Sequence, residues 1–420
     1  MKQTMIVISD YIEGAPVVAS VRYAGLMKHF MEQYRLIVVN DRKYGPAPSR
    51  FAAVNYKYDT PSSTFTQTMV GGEPSGRGIK QLIEGVLRNQ WTIRAWRNYK
   101  YSSYAFRRMN IRLFRELDAC LEQNEVSAVF LTIPDVYGLY IIDHIKRKAP
   151  GIPVVIEIRD IINHNIGEGQ PRQAYRRAER MIPRLADAIV AVSQGIRQHY
   201  ELEQERPSIR LIRNGYDEEL FRNCVYQRIS DNVRELTMAH IGSIYKGRNI
   251  HALIEGLQLF HERTGIRIKL KVAGLLDQQA ARDLSNVNMT GDGVTVEIVG
   301  SVRHEAAASL LKEADVAVIL THTKGSDYAI PGKTFEYIGA CKPILAVTAD
   351  RELVELVHGR YGICAGHHRD YVADGLADLI AKEFDFSGRS AFSRTNQAEQ
   401  ILAMIGEHIR GATQKRVKRV

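Results

Sequence analysis

The chain has 420 residues, a formal net charge of +10, and 45% hydrophobic against 25% charged side chains. That length divides into two domains with a core each, and the balance of apolar and charged residues excludes a disordered or fibrous chain. The cation excess calls for an anionic partner: a nucleotide, a nucleic acid or an acidic lipid surface.

Cys120, Cys224, Cys341 and Cys364 lie far apart without a CxxC pair, which argues against a zinc or disulfide framework and for a reducing compartment. No apolar run approaches the roughly 18 residues of a membrane span, and the apolar stretch Met5 to Ile8 is too short for a signal peptide. A cytoplasmic location is expected.

Short apolar runs alternate with amphipathic stretches, the pattern of βαβ units in parallel sheets. A first series predicts strands at Met5 to Ser9, Leu36 to Asn40, Ala128 to Thr132, Val154 to Ile158 and Ala188 to Val192, with helices over Ser20 to Gln33 and Ala174 to Arg184. A second predicts strands at Leu236 to Ile241, Ile268 to Ala273, Val294 to Val299, Val316 to Leu320 and Ile344 to Val347. Helices over Ile250 to Arg263, His304 to Glu313 and Lys333 to Ala340 separate these. The polar stretch between the series is read as the junction. The expected organisation is a domain over 1–215, a linker over 216–234, a domain over 235–392, and a helix with a basic tail over 393–420 whose return to the first domain is left open. Two doubly wound, Rossmann-like α/β domains facing a central cleft follow, because ligands in such sheets bind beyond the carboxyl ends of the strands.

Within this frame, Arg88 to Arg115 holds eight Lys or Arg residues, no acid, and seven aromatics including Trp91 and Trp96. Such mixing suits an interfacial helix on anionic lipid, single-stranded nucleic acid, or simply a core face backed by solvated cations. Further on, Glu157, Arg159 and Asp160 close a strand and His164 follows, a charge cluster at a sheet's functional edge; Asp10 ends the first strand beside Gly14.

The second series carries two anion-suited loops. Its first strand ends in Gly242, Ser243, Ile244, Tyr245, Lys246, Gly247, Arg248 and Asn249, where the glycines permit a tight turn, Asn249 suits an N-cap and two cations stand by the helix start. This is neither GxGxxG nor a P-loop. In Ile330 to Val347, Pro331 and Gly332 lead into a helix opened by Lys333 and Thr334, with Glu336 in its first turn, where a carboxylate complements the helix terminus or accepts from a ribose diol.

Taken together, these segments resemble the retaining nucleotide-sugar glycosyltransferases of the GT-B fold, family 4 type, many of which build bacterial surface polysaccharides. Leu185 to Ser193 looks like that family's strand-and-serine segment, Ile212 to Asp217 like its NG(V/Y)D loop, Ile241 to Arg248 like its diphosphate loop, and Pro331 to Tyr337 with Lys342 and Pro343 like its nucleotide-sugar motif. The resemblance implies a donor site of Gly242, Ser243, Lys246, Arg248, Gly274, Gly332, Lys333, Thr334 and Glu336: the cations on the diphosphate, Gly274 near the base, Glu336 on the ribose. It also implies acceptor-side roles for Asp10, Asp160 and His164.

The implied reaction is sugar transfer from a nucleoside diphosphate donor, UDP-linked, to a lipid-linked or growing glycan at the inner membrane face, with no metal or other cofactor and no nucleic acid. A nucleotide-sugar epimerase of the same fold and a non-catalytic basic binding protein are the alternatives. One departure stands out: the acid that the family often carries eight residues before its glutamate is here Tyr328, with Asp327 out of phase.

Overall fold

The computed structural model describes residues 2–14, 18–45, 47–61, 90–133, 136–162, 172–201, 207–245, 248, 250–290, 293–323 and 329–417. They form two compact units, one of 1–192, 196–212 and 398–420, the other of 193–195 and 213–397.

The first unit is built on seven strands: β1 (Gln3–Ser9), β2 (Tyr34–Asp41), β3 (Val54–Tyr58), β4 (Val126–Ile133), β5 (Val154–Ile158), β6 (Ala188–Ala191) and β7 (Ser208–Leu211). Their order is β3-β2-β1-β4-β5-β6-β7, and all the pairings are parallel. Met5 stands opposite Leu36 and Val7 opposite Phe130. Both faces of the central strands are covered, so β1, β4 and β5 are buried almost throughout and read as largely apolar runs instead of alternating ones.

Six strands carry the second unit: β8 (Glu235–Ile241), β9 (Arg267–Ala273), β10 (Val294–Gly300), β11 (Val316–Leu320), β12 (Ile344–Val347) and β13 (Gly362–Ala365). They follow the order β10-β9-β8-β11-β12-β13. Each sheet therefore has its crossover point beside its first strand, between β1 and β4 and between β8 and β11, where doubly wound folds open a ligand crevice.

Three strands lie beyond the sequence expectation, β3, β7 and β13, and all three are sheet edges. An edge strand has one unpaired side and a mixed burial pattern, as in β3 and β7, so its apolar signal is weak. The helix expected over Ala174 to Arg184 is two, Arg172–Glu179 and Ile182–Leu185, because Pro183 suits only the first turn of the second. Residues 216–234, expected as a linker, instead give Tyr216, Phe221 and Ile229 to the second unit's core.

The last helix, Arg394–Val417, belongs mostly to the first unit. Its Ala398, Ile401, Leu402, Met404 and Ile405 lie in one core with Met5, Val7, Phe30 and Val38.

Candidate functional site

At the carboxyl ends of β8 and β9 the second unit places two glycines back to back. Gly242 has φ +118° and Gly274 φ +156°, conformations that favour glycine. A Cβ on Gly274 would overlap the Gly242 carbonyl and stand 2.8 Å from the Ser243 nitrogen. The turn after β8 is thus seated directly on the turn after β9, and Gly242 N–H donates to the Ala273 carbonyl at 2.7 Å.

Three basic side chains gather over this floor. Arg248 folds back so that Nη1 donates to the Ser243 carbonyl at 2.6 Å, with its guanidinium 4.8 Å from the Tyr245 ring centroid. Its buried Nε has no hydrogen-bond partner among the described residues. From the helix Lys333–Gly339, Lys333 Nζ reaches to 3.0 Å from Nε2 of His240. The imidazole is wholly buried in β8, and its Nδ1 lies 3.0 Å from the Val318 carbonyl, which assigns the proton to Nδ1 and leaves Nε2 as acceptor for lysine. Burial first, and the charge of Arg248 second, hold the Lys333 ammonium well below its ordinary pKa, against the opposing pull of Glu336. Burial and then Lys333 keep His240 neutral in the same way. A cluster of this kind suits an incoming anion.

One turn along the helix, Glu336 Oε1 accepts from His304 Nε2 at 2.8 Å, with both side chains partly exposed. The hydrogen bond to Glu336 raises the His304 pKa more than burial lowers it, with Glu305 and Asp217 also raising it. Tyr337 fixes the helix: its wholly buried hydroxyl accepts from Ile241 N–H at 2.9 Å and faces the Val318 carbonyl at 3.3 Å.

The structure therefore brings Gly242, Ser243, Arg248, Gly274 and Lys333 together, with Glu336 beyond Lys333. Two other residues of the expected donor site are placed as follows. Gly332 has φ −56°, ordinary helical backbone that any residue adopts. Thr334 is wholly buried, with Oγ1 unpartnered among the described residues and its N–H given to the Pro331 carbonyl at 3.0 Å, so its side chain packs inward. Phe335 N–H likewise turns to the Gly332 carbonyl, which leaves fewer open N–H groups at this terminus than a free helix start offers. Lys246, Gly247, Asn249, Asp327 and Tyr328 lie outside the described residues. Sequence reading passed over His240 and His304.

In the first unit, Asp10 follows β1 but is mostly buried, and its Oδ1 accepts from the Tyr58 hydroxyl at 2.6 Å. Glu157 is an internal charge, paired with Arg22 and accepting from Thr132 Oγ1 at 2.8 Å. Burial alone would raise the Glu157 carboxyl, yet Arg22 draws it below its ordinary value. Arg159 stands beside this pair, its Nε buried and unpartnered among the described residues, while Asp160 is exposed and His164 lies outside them. A concavity of about 460 Å³ lined by Lys146, Asp187, Ser208, Glu407 and His408 sits at the opposite, N-terminal edge of this sheet, away from where such folds bind ligands.

The segment Ile212 to Asp217 is structural in large part. Gly215 accepts from Arg394 Nη2 through its carbonyl at 2.8 Å, Arg394 N–H donates to the Tyr216 carbonyl at 2.9 Å, and Asp217 caps Glu219 N–H at 3.0 Å.

No family model matches the chain, and no curated protein does. Solved structures do. The chain is similar to HepE of Anabaena in complex with UDP, at 13% identity over 99% of each chain with a TM-score of 0.58. It is similar to a glycosyltransferase from Rickettsia africae, at 11% identity over 97% of this chain and 99% of that one with a TM-score of 0.59. A protein of Listeria monocytogenes described as a UDP-N-acetylglucosamine 2-epimerase matches at 10% identity over 97% of each chain, with a TM-score of 0.55. The fold is GT-B. Identities this low speak to architecture, which these proteins share across more than one chemistry. No helix of the described residues is long and apolar enough to cross a membrane.

Proposed function

We propose that the chain is a retaining glycosyltransferase that moves a sugar from a UDP-sugar to a lipid-linked or growing glycan acceptor, in surface polysaccharide synthesis at the inner membrane face. The observation that carries this reading is the gathering of Arg248 and Lys333 over the Gly242 turn, with Glu336 one helical turn beyond Lys333. Cations at that point meet the charge that develops on a departing nucleoside diphosphate, and the carboxylate meets its ribose. Lys246 is assigned to the same diphosphate by its place in the loop. No metal is called for, and a chelator is expected to leave the rate unchanged. In front-side displacement the donor phosphate takes the acceptor proton, so Asp10, Asp160 and His164 orient the acceptor.

Two experiments test this. Glu336→Ala is expected to weaken UDP binding in calorimetry with the thermal melt unchanged; unaltered UDP affinity would count against the donor site. A screen of radiolabelled nucleotide sugars against membrane-extracted polyprenyl acceptors should give one productive pair. Conversion of a UDP-sugar to its epimer without any acceptor would instead establish the epimerase reading.

A further inference from the structure

The Glu336 carboxylate is divided between two surroundings. Oε1 is taken by His304 Nε2 at 2.8 Å, whereas Oε2 has no hydrogen-bond partner among the described residues, and the side chain is partly open to solvent. His304 stands at the first position of the helix His304–Glu313, at the carboxyl edge of β10, and no other hydrogen bond from its ring occurs among the described residues. A carboxylate on a three-bond stem is free to turn unless something holds it. Here one oxygen is held and the other is left to accept.

We infer that His304 is a positioning residue for nucleotide recognition: by donating to Oε1 it holds Glu336 with Oε2 presented to the vicinal hydroxyls of a ribose. This rests on the donor-site reading above and extends it to a residue outside the two loops. The diphosphate contacts are made by other groups, Arg248 and Lys333, so the two halves of the ligand are read separately. The contribution of His304 then shows only with ligands that carry the diol.

The test is calorimetry of the full chain with two probes, UDP and 2′,3′-dideoxy-UDP. The wild-type protein is expected to prefer UDP by about tenfold or more, the scale of hydrogen bonds to a charged acceptor. His304→Ala should lower UDP affinity while leaving that of 2′,3′-dideoxy-UDP unchanged, so that the preference collapses. His304→Gln, whose amide can donate from a similar place, should restore most of it. A preference that survives in His304→Ala, or a glutamine variant no better than alanine, overturns the role of His304 and leaves the donor site standing. If the wild-type protein shows no preference, the ribose reading of Glu336 fails and this inference falls with it. Thermal melting of the unliganded variants guards against a folding defect, and His304→Asn, too short to reach, supplies the same expectation should alanine not fold.

Discussion

Lys333 Nζ stands 3.0 Å from His240 Nε2, and because His240 gives its own proton to the Val318 carbonyl, the lysine's nearest partner in the cluster is a neutral acceptor. Arg248 adds a like charge, and burial together with that charge depresses the lysine well below its ordinary value. A depressed lysine gives up its proton at lower pH than an exposed one, and an arriving anion favours its charged form. UDP binding is therefore expected to take up a proton, and the affinity to weaken as pH rises. Calorimetry in buffers of different ionisation heat reads the uptake directly. In Lys333→Met the uptake should vanish and affinity fall about 10- to 100-fold, the scale of a charge-assisted hydrogen bond. Equal heats in all buffers for the wild-type protein would show that the lysine is already charged.

Local turn chemistry made part of this cluster legible in the sequence. Gly242 and Gly274 follow apolar runs directly, and the positive φ at each is what a strand-end glycine there announces. His240 and His304 were not legible, because their partners lie 93 and 32 residues away and only the sheet order brings them near. The same limit explains Glu157: it reads as part of a charge cluster at the sheet's functional edge, yet Arg22, 135 residues distant, makes it an internal ion pair. The central strands were plain because burial on both faces leaves them largely apolar runs. Edge strands such as Ser208–Leu211, half covered, carry no such run.

The pair of Arg22 and Glu157 offers a stability test. Both side chains are almost fully buried, with relative exposures of 4% and 0%. Arg22→Met leaves a buried carboxylate without its cation and should cost about 3–5 kcal/mol, seen as a lowered urea midpoint. The carboxyl is held below its ordinary value in the folded chain, so its contribution is present above the unfolded pKa of about 4.3 and is lost as pH falls through the folded one. The deficit of Arg22→Met should accordingly shrink in acid, where the stranded carboxyl can protonate. A deficit independent of pH would mean that packing, not charge, is lost.

Ile405 tests the docking of the last helix. It is fully buried in the core that Met5, Val7 and Phe30 form in the first unit. Ile405→Ala should destabilise by about 2–5 kcal/mol, the range for an aliphatic side chain truncated in a packed core. Hydrogen exchange should then rise in β1 and β2 together with the helix. Exchange confined to the helix would show that it docks as an independent piece.

The basic aromatic segment divides into an inner and an outer set. Phe106 and Phe114 are buried, whereas Trp91 is 76% exposed, Trp96 47% and Tyr104 63%, and Arg94 and Arg108 are exposed beside them on the helices Gln90–Lys100 and Ser103–Met109; Arg88 lies outside the described residues. Rings that face outward between cations are placed as an anionic bilayer surface would use them, the rings at the headgroup level and the cations against lipid charge. Sedimentation with phosphatidylglycerol vesicles is expected to retain the wild-type chain at low salt and to release it as salt rises. Trp91→Ala with Trp96→Ala should reduce the bound fraction even at low salt, and Arg94→Glu with Arg108→Glu should weaken binding by at least about fivefold per residue, since each cation near such a surface contributes about 1 kcal/mol. Retention on neutral phosphatidylcholine equal to that on phosphatidylglycerol would remove the electrostatic half of the argument. Binding to an anionic vesicle that neither pair of substitutions disturbs would move the contact to another face.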